Sequence, residues 1–182
     1  IYNVRSVRTR LEQAGETFLS DSDTEVVLHA FERDGVECLT EFNGIFAFGM
    51  HDRVEQKLYL VRDRLGIKPL YYLRQGEHLF FSSEIKPFEQ IPGITLTVDH
   101  AAVADYRGGQ DIVREGFYHE VVAVPPGSWV EVDLASGQLT TTPYVRLTDA
   151  IHPDRYRRMA IASEASLVQE LDVLLNAVVR DQ

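Results

Sequence analysis

The stretch from residue 43 to residue 83 holds four short apolar runs separated by polar connections. The runs are Ile45–Met50, Lys57–Val61, Pro69–Leu73 and Leu79–Phe81. Their Phe, Tyr, Val and Leu content favours β-strands. The connections are too short for crossover helices, so neighbouring runs are predicted to pair antiparallel. The first run is apolar or glycine throughout, which predicts a strand covered on both faces.

The connection between the second and third runs reads RDRLGIKPLY from Arg62 to Tyr71, with four charges around one glycine. Pro69 restricts its own φ and biases Lys68 towards extended backbone. Gly66 can adopt positive φ, so the loop can turn sharply there. Two interpretations stay open: a charged surface turn, or a loop shaped for a function.

Three blocks of this stretch, NGIFAF, RDRLGIKPLYY and FSSEIKPF, resemble the glutaminase domain of glutamine-hydrolysing asparagine synthetases. The resemblance begins at Ile1-Tyr2-Asn3, includes Asp21-Ser22-Asp23-Thr24-Glu25 and fades after about Val132. It implies a class II glutamine amidotransferase of the N-terminal nucleophile hydrolase type. The implied fold class is α+β, an αββα sandwich of antiparallel sheets, incomplete here at the N-terminus.

The same resemblance implies a chemistry for the parent protein. Its first domain hydrolyses L-glutamine through a thioester, and the ammonia travels by a tunnel to a synthetase domain, where ATP activates aspartate. The family's nucleophile is an N-terminal cysteine, and an Asn-Gly pair forms its oxyanion hole. Both would precede Ile1, so the chain alone is expected to be inactive, with no catalytic residue of its own. ATP and Mg are expected only in the synthetase domain.

The acidic run from Ser20 to Glu25 has two interpretations. Its side chains suit the start of a helix, which Val27, Leu28 and Phe31 would continue on an apolar face up to Gly35. The resemblance adds a substrate role: Asp23, with Ser22 beside it, occupies the position that receives the α-amino group of glutamine. A carboxylate at the head of a helix is held rigidly and stays ionised.

The resemblance assigns weaker roles to two further groups. Asn43, Gly44 and Ile45 would lie near the route out of the site. The charged loop with Arg62, Asp63 and Gly66 would be shaped towards the synthetase domain. Cys38 is the only thiol and has no basic neighbour in sequence, so a buried structural cysteine is expected.

The remaining elements follow from local patterns. Helices are predicted at Asn3–Gly15, with Asn3 as N-cap, and at Val36–Phe42, Glu84–Pro87 and Val98–Tyr106. Strands are predicted at Phe18–Leu19, Phe117–Val122 and Ser128–Leu134, the last two joined by a Pro125-Pro126-Gly127 hairpin turn. The predicted domains are 1–147 for the glutaminase domain, 148–165 for a linker and 166–182 for the first helix of the synthetase domain.

Composition excludes several function classes. The net charge of −10 argues against nucleic acid, because phosphate binding needs clustered Lys and Arg. No apolar run approaches the roughly 20 residues of a membrane helix. The single cysteine indicates a reducing, cytoplasmic location. The six histidines are scattered without ligand spacing, so no metal is predicted.

The expected partners are L-glutamine, the synthetase domain of the same chain and a second copy in a homodimer. Two alternatives to the synthetase interpretation stay open. One is a non-catalytic amidotransferase-like scaffold or docking domain. The other is the glutaminase domain of a different class II amidotransferase. The RDRLGIKPLYY block and the helix from Ser166 to Gln182 favour the synthetase.

Overall fold

The structure, a computed structural model, describes residues 1–109 and 116–181. They form two units, Ile1–Gly44 with Val145–Gln182 and Ile45–Tyr144. The helices are α1 Val4–Gln13, α2 Asp23–Asp34, α3 Lys86–Glu89, α4 His100–Arg107, α5 Pro153–Ile161 and α6 Glu164–Asp181. The strands are β1 Ala47–Asp52, β2 Lys57–Arg62, β3 Tyr71–Gln75, β4 His78–Ser82, β5 Val121–Ala123, β6 Ser128–Asp133 and β7 Leu139–Pro143.

Helices α1 and α2 pack together in the first unit, followed by a 3-10 helix, Gly35–Thr40. The buried face of α2 contains Val26, Val27, Ala30 and Phe31, whereas Leu28 is half exposed. Gly35 ends α2, as the sequence predicted. These apolar positions recur every three to four residues, so one stripe of the helix is removed from water.

Of two local predictions near α1, one is confirmed only in its position and the other is wrong. Asn3 occupies the N-cap position of α1, as predicted, but its side chain makes no capping hydrogen bond. Its amide instead pairs with the backbone of residues 41 and 43. Phe18–Leu19 is not a strand, and Leu19 is fully exposed. The carboxylate of Glu25 accepts the backbone N–H groups of Leu19 and Ser20, so these donors do not enter a sheet.

The second unit contains two antiparallel sheets, with strand orders β1-β2-β6-β7 and β4-β3-β5. Their inner faces share a core of buried aliphatic residues, Leu60, Leu70, Val124, Val130 and Val132, with Tyr72 and Leu79 packed against it. The far face of the smaller sheet packs on α3 through Leu73, Phe88 and Val121. Alternation along the strands therefore builds a sandwich, because each sheet presents one apolar face to the other.

The four apolar runs are strands as predicted, but their pairing is only partly as predicted. β1 pairs with β2 and β3 pairs with β4. β2 and β3 lie in different sheets, so the loop from Asp63 to Leu70 crosses between sheets. None of the six residues of β1 is fully buried, because β1 ends the larger sheet in the described part of the chain.

The Pro125-Pro126-Gly127 turn is a second crossing and not a hairpin. β5 pairs with β3, whereas β6 pairs with β2 and β7. The chain therefore returns here from the smaller sheet to the larger one. The strand β7, which the sequence analysis missed, is rich in threonine and forms a hairpin with β6.

The C-terminal segment is more helical than expected. Residues 148–165, predicted as a linker, include most of a 3-10 helix at Leu147–Ala150, all of α5 and the first residues of α6. Helix α6 begins two residues earlier than the predicted helix from Ser166 to Gln182, and Gln182 lies outside the described residues. The division into domains stays a prediction. No helix in the described ranges has the length and apolarity needed to cross a membrane.

Candidate functional site

Ser22 and Asp23 lie at the start of α2. The hydroxyl of Ser22 accepts the N–H of Thr24 at 3.2 Å, so Ser22 is the N-cap. Asp23 is the first residue of the helix, and its side chain is half exposed. The capping interpretation is therefore confirmed for Ser22. The carboxylate of Asp23 lies at the positive end of the helix.

The nitrogen of Ile1, the first residue of the given sequence, contacts the Asp23 carboxylate. The α-amino group of Ile1 donates a hydrogen bond to Asp23 Oδ2 at 2.7 Å. This hydrogen bond is the main cause that lowers the pKa of Asp23, and partial burial opposes it. The Asp23 carboxylate also lies in the first turn of α2, where the positive end of the helix favours its ionised form.

The segment Ile1–Asn3 also packs against Asn43 and Gly44. Tyr2 N donates to Asn43 O at 2.7 Å, and Asn43 N donates to the Asn3 side chain at 2.9 Å. A Cβ on Gly44 would lie 2.8 Å from the Cα of Ile1, so only glycine allows this approach. The structure thus brings Asn43 and Gly44 to the same segment as Asp23, with Ile1 between them.

A cavity of about 580 Å³ lies beside this segment. It is lined by Tyr2, Asn3, Val4, Arg5, Ser6, Asn43 and Arg180. Asp23 is not among the lining residues. The Asp23 carboxylate and this cavity are therefore separate features of the first unit.

Arg62 is buried in the second unit, with 3% of its surface exposed. Its guanidinium donates to three backbone carbonyls, those of Lys68 at 2.8 Å, Val124 at 2.9 Å and Gly66 at 2.6 Å. One side chain therefore joins both loops that cross between the sheets. The interpretation of this stretch as a charged surface turn is wrong for Arg62, because a rigid fork of donors satisfies buried carbonyls.

Asp63 is buried beside it, at 1% exposure. Its carboxylate accepts the N–H groups of Leu65, Ile67 and Lys68 at 2.9–3.1 Å. Its backbone carbonyl accepts N–H groups from Gly66 and from Gly127 in the second crossing. A buried carboxylate requires such donors, so Asp63 organises the loop from within.

Gly66 has φ of +66°, as the sequence predicted for this loop. A Cβ there would lie 2.8 Å from Pro126 Cγ, so the crossings touch at this point. Arg62, Asp63 and Gly66 thus form one cluster, whereas Ile45 is a half-buried residue just before β1.

Sequence reasoning missed Tyr144 in this cluster. Its hydroxyl donates to the Arg62 carbonyl at 2.9 Å, and its N–H donates to the Gly127 carbonyl at 2.8 Å. Burial raises the pKa of its phenol, which stays protonated as a donor. No local pattern marks this tyrosine, because its partners are 82 and 17 residues away in sequence.

Cys38 is buried, as predicted. Burial, with the Asp34 and Glu41 carboxylates, raises the pKa of its thiol to about 12. Such a thiol is not a nucleophile at neutral pH. Across residues 1–109 and 116–181, no cluster of three or more His, Cys, Asp or Glu side chains can hold a metal ion.

A family model described as the glutamine amidotransferase domain matches residues 1–145. Two curated relatives come from Bacillus subtilis (strain 168). Asparagine synthetase [glutamine-hydrolyzing] 3 is 38% identical over 108 residues, which is 59% of this chain and 18% of the relative. Asparagine synthetase [glutamine-hydrolyzing] 2 is 29% identical over 163 residues, which is 86% of this chain and 22% of the relative. The matched parts thus cover only about a fifth of these relatives.

Among solved structures, glutamine phosphoribosylpyrophosphate amidotransferase from B. subtilis matches with a TM-score of 0.54 at 21% identity. The match covers 80% of this chain and 27% of that one. This likeness concerns the fold alone, and it confirms the predicted α+β sandwich of antiparallel sheets. With the family model covering residues 1–145 of 182, the chain belongs to the glutamine amidotransferase domain family.

Proposed function

We propose that this chain is the glutamine-binding part of a glutamine-hydrolysing asparagine synthetase. The family match and the relatives named asparagine synthetase support the assignment. The single observation that carries it is the carboxylate of Asp23, half exposed in the first turn of α2, where the positive end of the helix favours a negative charge. The longer protein that the proposal implies is called the parent protein below.

In this proposal Asp23 pairs with the α-ammonium group of L-glutamine. Ser22 holds the first turn of α2, so the carboxylate is presented in one orientation. Charge-assisted hydrogen bonds of this kind select a ligand with an ammonium group at the correct distance. Substrates that lack the α-amino group would leave the Asp23 carboxylate without its cation and would bind more weakly.

The nucleophile in this proposal lies outside these 182 residues. The only thiol, Cys38, is buried and has a raised pKa, so it cannot form the thioester. We therefore expect no glutamate release from the chain by itself. ATP and Mg²⁺ enter only through the synthetase domain, and no step assigned to this chain uses them.

The proposal also covers the route for ammonia and the neighbouring domain. Asn43, Gly44 and Ile45 would lie near the way out of the glutamine site. The loop shaped by Arg62, Asp63 and Gly66 would face the synthetase domain, with α6 as that domain's first helix. The exposed apolar residues of α6, such as Leu171, Leu174 and Leu175, support a partner for this helix. A homodimer and a cytoplasmic location stay predictions.

The test is the variant Asp23→Ala in the parent protein, with Asp21→Asn as a matched control. Asp21 is a fully exposed carboxylate two residues earlier in the same loop. We expect the KM for glutamine to rise about tenfold to a hundredfold, because a charge-assisted hydrogen bond is lost. Asparagine synthesis from ammonia in solution should be unchanged, since ammonia bypasses this site.

The control variant should keep a glutamine KM within about twofold of the wild type, as expected for an exposed charge. Equal loss of glutamine-dependent and ammonia-dependent synthesis in Asp23→Ala would show a folding role and refute the substrate role. An unchanged KM would also refute it. A parent protein without any glutaminase activity would favour the scaffold alternative.

A further inference from the structure

The carboxylate of Glu25 holds the loop that precedes α2 by hydrogen bonds to Leu19 and Ser20. Glu25 Oε1 accepts the N–H of Leu19 at 2.7 Å. Its Oε2 accepts the N–H and the hydroxyl of Ser20, at 2.7 and 2.6 Å. The Glu25 side chain is only 16% exposed, so these bonds are largely shielded from competing water.

This arrangement differs from an ordinary capping box. The pattern Ser22-x-x-Glu25 predicts that the glutamate reaches back to the N–H of Ser22. Here the Ser22 N–H donates instead to the Ser20 hydroxyl at 3.3 Å. The Glu25 carboxylate reaches two and three residues further, to Ser20 and Leu19. It therefore fixes the approach of the chain to the helix, through Ser20, rather than the cap itself.

The same loop is held from the other side by α1. The Arg8 guanidinium donates to the Ser20 carbonyl at 2.7 Å and lies 4.6 Å from the centre of the Phe18 ring. The Phe18 ring also makes an edge-to-face contact with His29 on α2, and the two ring centres are 4.9 Å apart. Ser20 thus has its N–H, hydroxyl and carbonyl all engaged, three residues before Asp23.

We propose that Glu25 is a positioning residue for glutamine recognition, acting through Ser20 and Ser22 on the carboxylate of Asp23. This inference rests on the proposed function of Asp23. Without Glu25, two backbone N–H groups and one hydroxyl lose their acceptor, and the loop before Asp23 loses its fixed path. The helix itself remains, because its buried face and the hydrogen bond from the Thr24 N–H to the Ser22 hydroxyl do not involve Glu25; only the Ser22 N–H is linked to Glu25, through the Ser20 hydroxyl.

The test uses Glu25→Ala, Glu25→Gln and Ser20→Ala in the parent protein, with Glu32→Gln as the matched control. Glu32 is an exposed carboxylate on the same helix and, like Glu25, lies near His29. For Glu25→Ala we expect a KM for glutamine raised about tenfold, because displacement of a binding group weakens substrate binding. The kcat at saturating glutamine and the ammonia-dependent synthesis should stay near wild type.

Glu25→Gln keeps one acceptor oxygen and should raise KM less than Glu25→Ala. Ser20→Ala removes the link to Ser22 and should also raise KM, and the double variant with Glu25→Ala should be less than additive. Glu32→Gln should leave KM unchanged. If Glu25→Ala does not fold, Glu25→Gln and Ser20→Ala carry the test.

The outcomes separate this inference from the function on which it rests. A raised KM in Asp23→Ala with wild-type KM in the Glu25 and Ser20 variants overturns the positioning role alone. An unchanged KM in Asp23→Ala overturns both. Equal loss of glutamine-dependent and ammonia-dependent activity in the Glu25 variants shows a merely structural role and also overturns the inference.

Discussion

The Arg62 guanidinium donates a hydrogen bond to the Val124 carbonyl at 2.9 Å, across 62 residues of sequence. This bond joins the loop that leaves the larger sheet to the segment that returns to it. The other donors of Arg62 hold the carbonyls of Gly66 and Lys68. One buried guanidinium therefore satisfies backbone carbonyls in both segments that cross between the sheets.

The first prediction concerns Arg62→Lys. Lysine keeps the charge but loses the fork of donors, so buried carbonyls lose partners. We expect the free energy of unfolding to fall by about 2–4 kcal/mol, measured by urea denaturation. Arg64→Lys, at an exposed position two residues later, should change it by less than about 0.5 kcal/mol. Equal effects of the two variants would contradict the structural role of Arg62.

The second prediction concerns Asp63→Asn. The amide keeps one acceptor oxygen, but its NH₂ group faces backbone donors in a buried site. We expect a loss of about 2–3 kcal/mol in the free energy of unfolding. Asp133→Asn is the control, because Asp133 accepts the N–H groups of Ala135 and Ser136 in an exposed turn. Its loss should be clearly smaller, since water can replace the contacts; a loss as large as that of Asp63→Asn would be inconsistent with this interpretation.

The third prediction separates backbone strain from a clash. Gly66 and Gly76 both have positive φ, +66° and +59°, but a Cβ at Gly76 meets no atom within 4 Å. Gly76→Ala should cost about 1 kcal/mol, the strain of a left-handed residue. Gly66→Ala should cost about 2–4 kcal/mol, because its Cβ also meets Pro126. If the two variants had the same melting temperature, contact with Pro126 would not contribute to the cost at Gly66.

Gly66 also tests the proposed interdomain role. In the parent protein, Gly66→Val should lower the asparagine formed per glutamate released, because a displaced loop would let ammonia escape. Gly76→Val is the comparison, since its turn has no proposed contact with the synthetase domain. A wild-type product ratio in Gly66→Val, despite a lower melting temperature, would confine this glycine to a structural role.

The last prediction concerns the pH dependence of stability. The pKa of Cys38 in the folded chain is about 12, above its ordinary value of 9.0. As pH rises above 9.0, the unfolded thiol loses its proton while the folded thiol keeps it, so this group destabilises the fold progressively up to about pH 12. The free energy of unfolding, measured by urea denaturation, should therefore fall less between pH 8 and pH 10.5 in Cys38→Ala than in the wild type. An equal fall in the wild type and in Cys38→Ala would contradict the raised pKa of Cys38.

Local sequence patterns predicted much of the fold. Ser22 begins α2 and Gly35 ends it because a capping hydroxyl and a glycine act on adjacent backbone groups. The runs from residue 45 to residue 81 are strands because their aromatic and aliphatic side chains suit a half-buried sheet. Such effects involve residues that are close together in the sequence, so the sequence alone is enough to predict them.

The choice of sheet for each strand was decided only by the tertiary structure. The runs that became β2 and β3 have similar compositions, and nothing local separates a hairpin from a crossing. The difference lies in Arg62 and Asp63, whose charges suggest a surface turn. Their burial is stable only because Val124, Gly127 and Tyr144 supply distant hydrogen-bond partners. A charged residue can be buried only where hydrogen-bond partners surround it. Partners this far away in sequence come together only in the folded chain, so local sequence patterns cannot predict them.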